Sequence, residues 1–147
     1  MFSEQCYRRA AMNSRHSRDR IAAMSSVEPR RFVVLFHDLS ASAHWDLMIE
    51  AGEALATWQL SVPPEVAAAS PTTACRIADH RKAYLEYEGP VSGERGSVRI
   101  ADAGTCAVLS EMPEEWRLAL EGRILRGTFR LIRTGAQPDA WRFQRES

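Results

Sequence analysis

Lysine is nearly missing from this 147-residue chain: Lys82 stands alone among nineteen basic residues, and the rest are arginine. A nucleotidyl-transferring ligase needs an adenylatable lysine in a KxDG-like setting, whereas Lys82 opens "KAYL", so the chain is not a ligase by itself. Net charge is missing too. Nineteen acidic residues cancel the basic ones, leaving no overall field to draw the chain to DNA, RNA or an anionic membrane. Any anion has to be held locally, and the planar guanidinium is the tool at hand for it. The three cysteines, Cys6, Cys75 and Cys106, are odd in number and lack CxxC spacing. That argues against a disulfide framework and a thiolate zinc cluster, and it fits a reducing cytoplasm. No apolar stretch approaches the roughly 20 residues that cross a bilayer. Charged residues stand at the N-terminus where a signal peptide has its apolar run. A soluble, cytoplasmic protein with no membrane partner is the expectation.

What is present divides into two parts. Residues 1–29, "MFSEQCYRRAAMNSRHSRDRIAAMSSVEP", are rich in Ser, Arg and Ala without a sustained hydrophobic period and read as a flexible extension, with room for a short helix over 17–24. Met12 and Met24 are alternative starts. From residue 30 to 147 one domain is expected, large enough to bury a core without disulfides or structural metal. Short apolar or alternating runs follow one another there: "RFVVLF", "HWDLMIE", "EALATWQL", "CRIAD", "AYLEYE", "SVRIAD", "CAVLS", "WRLALE", "ILRGTFRLIR" and "AWRFQR". Their spacing predicts an all-β fold, a small antiparallel barrel or sandwich. Glycines in "EAGE", "DAGT" and "EGRI" suit tight turns at positive φ, and "PPEVAAASP" has room for a helical turn but reads more readily as a loop.

Chemistry concentrates in "HDLSASAHWDLMIE", residues 37–50. In an extended strand His44, Asp46, Met48 and Glu50 share one side, and Trp45, Leu47 and Ile49 share the apolar side that faces the core. His37 ends the preceding strand, and the six residues before His44 suffice for a hairpin that returns it beside His44 and Asp46. Two imidazoles and a carboxylate suit Mn²⁺, Fe²⁺ or Zn²⁺ and leave coordination positions open. The plainer alternative is hydrogen-bonded surface histidines, since HxD is common by chance. "DHRKAYLEYEG" forms a second polar cluster, in which an alternating strand would put Tyr84, Glu86 and Glu88 on one face beside His80. A strand tyrosine that packs its ring and bonds its hydroxyl would look the same.

Together these segments resemble a known family. The order "RFVV…H…HWDL…W…DH…Y…YEG…G..G", closing on "LRGTFRLIR…AWRF", is similar to the 3′-phosphoesterase domain of bacterial DNA ligase D, from Arg31 nearly to Trp141. The resemblance implies a closed β barrel that removes 3′-phosphates and 3′-terminal ribonucleotides with a divalent metal, typically Mn²⁺. It implies His37, His44 and Asp46 as metal ligands, His80 as the histidine on the scissile phosphate, and Tyr84 as the active-site tyrosine. The implied partners are 3′ ends of DNA or RNA–DNA primer-templates, with ligase and polymerase supplied by other chains. The family's arginine two residues after the ligand aspartate is Met48 here, its glutamine before the first histidine is Leu35, and Ala78 replaces an acidic residue. A lysine expected after the tryptophan strand is missing from "WQLSVPP", and "GERG" has Arg95 where an aromatic is usual. Arg76, Arg81, Arg95 and Arg99 are the cations open to substitute for the arginine. Two rival readings are a non-catalytic metal- or nucleic-acid-end-binding barrel, and an iron-dependent oxygenase or isomerase using the same ligand triad.

Overall fold

A computed structural model describes residues 28–135 and 137–146. The expectations for the N-terminal extension up to residue 27 lie outside the described residues. Nine strands follow in chain order: β1 Arg30–Asp38, β2 Ala43–Ala51, β3 Ala54–Leu60, β4 Thr72–Arg81, β5 Gly89–Pro90, β6 Ser97–Met112, β7 Glu115–Gly122, β8 Arg126–Arg133 and β9 Ala140–Arg145. Their order is β1-β2-β3-β4-β9-β8-β7-β6-β5, and a further β1–β6 pairing closes eight of them into an antiparallel barrel. Closure removes the sheet edges that the apolar runs would otherwise expose. Among the described residues no helix is long and apolar enough to cross a membrane.

Alternation puts Phe32, Val34, Leu47, Ile49, Ala56, Trp58 and Leu60 inside the barrel, where Trp58 meets Trp116 and Trp141 edge-on at 5.0 and 5.6 Å. Arg76 is interior as well, its guanidinium 4.3 Å from the Trp58 ring. A smaller apolar cluster coats the outer wall: Val33 and Leu35 of β1, Met48 of β2, Leu55 of β3 and Val98 of β6, capped by Leu85.

Four turn and strand expectations are corrected. "AYLEYE" is not a strand: Lys82–Leu85 forms a 3₁₀ turn, so the shared strand face for Tyr84, Glu86 and Glu88 does not exist. A strand would send Tyr84 and Leu85 to opposite sides, whereas here Leu85 joins the outer cluster and Tyr84 and Tyr87 pack against it. The only lysine, Lys82, ties this segment to Glu50 of β2 at 3.4 Å. "SVRIAD" and "CAVLS" are one strand, β6, and the glycine of "DAGT" does not turn the chain. Gly104 instead faces Gly122 across the β6–β7 ladder, where a Cβ would lie 2.1 Å from the Glu121 carbonyl oxygen. Gly122, from "EGRI", ends β7 without positive φ. Of the three turn glycines, Gly52 in "EAGE" adopts the left-handed conformation, φ 65°. Finally, "PPEVAAASP" contains a helical turn, α1 Pro64–Ala67, with proline at its first position and Ala67 wedged into the core.

Candidate metal centre on the outer barrel wall

β1 and β2 pair so that His37 lies directly across from His44, and Leu35 across from Asp46. The four-residue connection 39–42 sets this register, and the period of two turns His37, His44 and Asp46 to the outer face. The structure brings the three together. His37 Nδ1 lies 3.2 Å from His44 Nε2, His44 Nε2 lies 3.2 Å from Asp46 Oδ1, and His37 Nδ1 lies 3.8 Å from Asp46 Oδ2. Bonds of about 2.1 Å to a common ion would space neighbouring donors about 3.0–3.5 Å apart, for octahedral or tetrahedral geometry. His37–His44 and His44–Asp46 fall in that range, and one donor atom from each of the three residues lies within 4.8 Å of the others, so small side-chain rotations bring all three onto one divalent cation.

Two further observations support that fit. The other ring nitrogen of His37, Nε2, sits 2.6 Å from the Arg95 carbonyl oxygen, which can only accept. Nε2 must carry the proton, so Nδ1 presents a lone pair toward His44, the arrangement by which an outer carbonyl orients a metal-binding imidazole. Asp46 is 3% exposed, and its Oδ1 accepts no hydrogen bond although His44 Nε2 is close by. A buried carboxylate oxygen without a hydrogen bond is costly unless a cation meets it.

His80 and Tyr84 form a separate pair. Their rings meet edge-on at 5.7 Å, and Tyr84 meets Tyr87 likewise at 5.7 Å. His80 Nδ1–H donates to the Ala78 carbonyl at 3.0 Å, leaving Nε2 as the ring nitrogen not engaged by that bond. Neither residue makes a hydrogen bond or ring contact to His37, His44 or Asp46. Register explains the separation: His80 lies opposite Leu55, itself opposite Glu50, four residues along β2 from Asp46. Four strand residues span about 13 Å. Met48 occupies the wall between, 1% exposed among Leu35, Leu55, Leu85 and Val98. Met48→Arg is therefore expected to place a guanidinium in an apolar pocket and lower stability by about 3 kcal/mol, measured as a reduced urea midpoint.

None of the four arginines replaces the family's cation at the triad. Arg76 lies inside the barrel, and Arg99 stacks over Phe36, 5.2 Å from its ring. The Arg95 guanidinium bonds Ser92, while Arg81 ends β4, opposite Ala54. Sequence reasoning missed Gln59. It pairs with Asp46 across β2 and β3, and its side-chain amide nitrogen lies 3.2 Å from His44 Nε2. No local motif marks it, because its relation to Asp46 depends on the β2–β3 register.

Beside the triad opens a cleft of about 430 Å³ that His44, Gln59, Ser61, Thr73, Cys75 and Asp139 help to line. Cys75 donates to Asp139 Oδ2 at 3.5 Å, and burial, the negative charge of Asp139 and this hydrogen bond together raise its thiol pKa. Burial pushes Cys106 up to about 12. Both thiols stay protonated near neutrality, so neither is a ready nucleophile or thiolate ligand.

The fold defines a small closed antiparallel β barrel, with two imidazoles and a carboxylate gathered on its outer wall. The family model of the DNA ligase D 3′-phosphoesterase domain matches residues 36–133, and the chain belongs to that family. It is thus a member of a phosphoesterase family, within the hydrolases. No curated protein matches the chain.

Proposed function

We propose that the chain is a divalent-metal-dependent 3′-phosphoesterase acting on 3′-phosphate or 3′-ribonucleotide ends of DNA or RNA–DNA primer-templates in DNA repair. One observation carries this reading: His37, His44 and Asp46 each offer one ligand atom, all within 4.8 Å of one another, and the Arg95 carbonyl accepts from His37 Nε2–H so that Nδ1 faces the group. A hard cation such as Mn²⁺ would polarise a phosphate oxygen there and offset the charge that builds as the phosphorus–oxygen bond breaks. His37, His44 and Asp46 would hold it, and the hydroxyl-lined cleft beside them would receive the uncharged part of the terminal nucleotide. His80 and Tyr84, farther along the wall, would contact the substrate backbone beyond the metal-bound group, His80 binding phosphate through Nε2 and Tyr84 orienting its ring. Ligase and polymerase steps fall to other chains, and the compartment that goes with this reading is the cytoplasm.

A second reading, a non-catalytic metal- or nucleic-acid-end-binding barrel, is favoured by the burial of Met48 where the family has its arginine. The two separate on one assay. Purified protein with Mn²⁺ is expected to release inorganic phosphate from a 3′-phosphorylated primer-template and to stop when the metal is chelated. Protein that binds Mn²⁺ yet releases no phosphate would establish the second reading instead.

A further inference from the structure

We propose that Gln59 is a fourth protein ligand of the metal centre, through its side-chain carbonyl oxygen. The inference rests on the metal-binding part of the function above. The row across the outer wall is Leu35–Asp46–Gln59–Cys75, so Gln59 stands directly beside the carboxylate ligand on the neighbouring strand. Side chains opposite one another in such a ladder have Cβ atoms about 4.5–5.5 Å apart, close enough to share an ion.

The atom drawn as Gln59 Nε2 lies 3.2 Å from His44 Nε2. The oxygen and nitrogen of a side-chain amide are interchangeable in shape, and their assignment follows from the surrounding hydrogen bonds. Here the chemistry selects oxygen. His44 Nε2 already faces His37 Nδ1 and Asp46 Oδ1, each at 3.2 Å, which makes it the ligand atom at the centre of the cluster. An N–H aimed at that lone pair would compete with the cation for it, whereas an oxygen in the same place adds a donor at the spacing neighbouring ligands have. Gln59 is half-buried and has no other hydrogen-bond partner that would hold its amide the other way round. The set becomes two nitrogens and two oxygens. Neutral carbonyl oxygen is a hard donor, so this addition favours Mn²⁺ over a purely imidazole-rich site. It also takes one position otherwise filled by water, which narrows the space left for substrate.

The test is Mn²⁺ titration of the full chain followed by calorimetry and by water-proton relaxation, with four proteins compared: the unaltered chain, His44→Ala, Gln59→Ala and Gln59→Glu. The unaltered chain is expected to bind one Mn²⁺, and His44→Ala to lose it. Gln59→Ala is expected to weaken binding about tenfold or more, with higher relaxivity because a water enters the vacated position. Gln59→Glu keeps an oxygen donor and is expected to bind at least as tightly as the unaltered chain, with its relaxivity. A Gln59→Ala protein equal to the unaltered chain in affinity and relaxivity would overturn the proposal while leaving the three-residue site intact. Weakening in both variants would assign Gln59 as an N–H donor and overturn it as well. Failure of the unaltered chain to bind Mn²⁺ would remove the metal site itself, and the fourth ligand with it. Circular dichroism of each variant separates loss of a ligand from loss of fold.

Discussion

His44→Ala is expected to abolish Mn²⁺ binding and to bring phosphate release from a 3′-phosphorylated primer-template below detection. The reason is the central place of one atom: His44 Nε2 is 3.2 Å from His37 Nδ1 and 3.2 Å from Asp46 Oδ1, so its removal leaves two donors 3.8 Å apart. The effect on folding is expected to be small. In metal-free protein His44→Ala removes the part-buried His37–His44 hydrogen bond, so its melting temperature should fall by only a few degrees. Adding Mn²⁺ at a hundred times its dissociation constant should stabilise the unaltered chain by about 2.7 kcal/mol and His44→Ala not at all. Thermal melts with and without Mn²⁺ check this independently of any activity. Phosphate release that persists unchanged in the variant would remove these ligands from the reaction.

Asp102→Ala is expected to be the most damaging substitution for the fold alone. Asp102 of β6 is 2% exposed, and its carboxylate accepts from the backbone N–H groups of Ala103, Arg123, Ile124 and Leu125 at 2.8–3.3 Å. The last three form the tight connection between β7 and β8, whose amides have no ladder partner of their own. Gly122 makes the approach feasible, since a Cβ there would lie 2.7 Å from both the carboxylate and the Phe32 ring. Truncation to alanine strands several donors, at about 1–3 kcal/mol for each one left unsatisfied. A loss of about 3–5 kcal/mol is expected overall, read as a lower urea midpoint, with the Mn²⁺ affinity of the folded fraction unchanged. Asp102→Asn keeps one acceptor oxygen and should fall between. An Asp102→Ala midpoint equal to that of the unaltered chain would show that water caps this turn as well as the carboxylate does.

Most of the candidate centre could be read locally. His44 and Asp46 are two residues apart on one strand, His37 is seven residues earlier, and a short hairpin between them fixes their relation without reference to the rest of the chain. The interior residues of β1, β2 and β3 follow from the same period of two. Gln59 was not legible in this way: placing it beside Asp46 requires the pairing of β2 with β3, which alternation leaves open to a slip of register. "AYLEYE" misled because its alternating pattern also suits a 3₁₀ turn, and the choice belongs to the outer wall that Leu85 covers. Gly104 misled because a glycine required for close strand approach and one required for a turn look alike in sequence.

The sequence by itself determined the β class, the apolar face of the strand over residues 44–50 and the shared outward side of His44 and Asp46, because strand geometry repeats every two residues and needs no distant partner. Only the tertiary structure decided that the centre lies on the outer wall with Gln59 beside it, that Met48 is sealed under Leu85, and that Arg76 turns inward to stack on Trp58. These outcomes rest on barrel closure and on the register between strands far apart in the chain, where packing of the whole core, and no local preference, selects among the pairings.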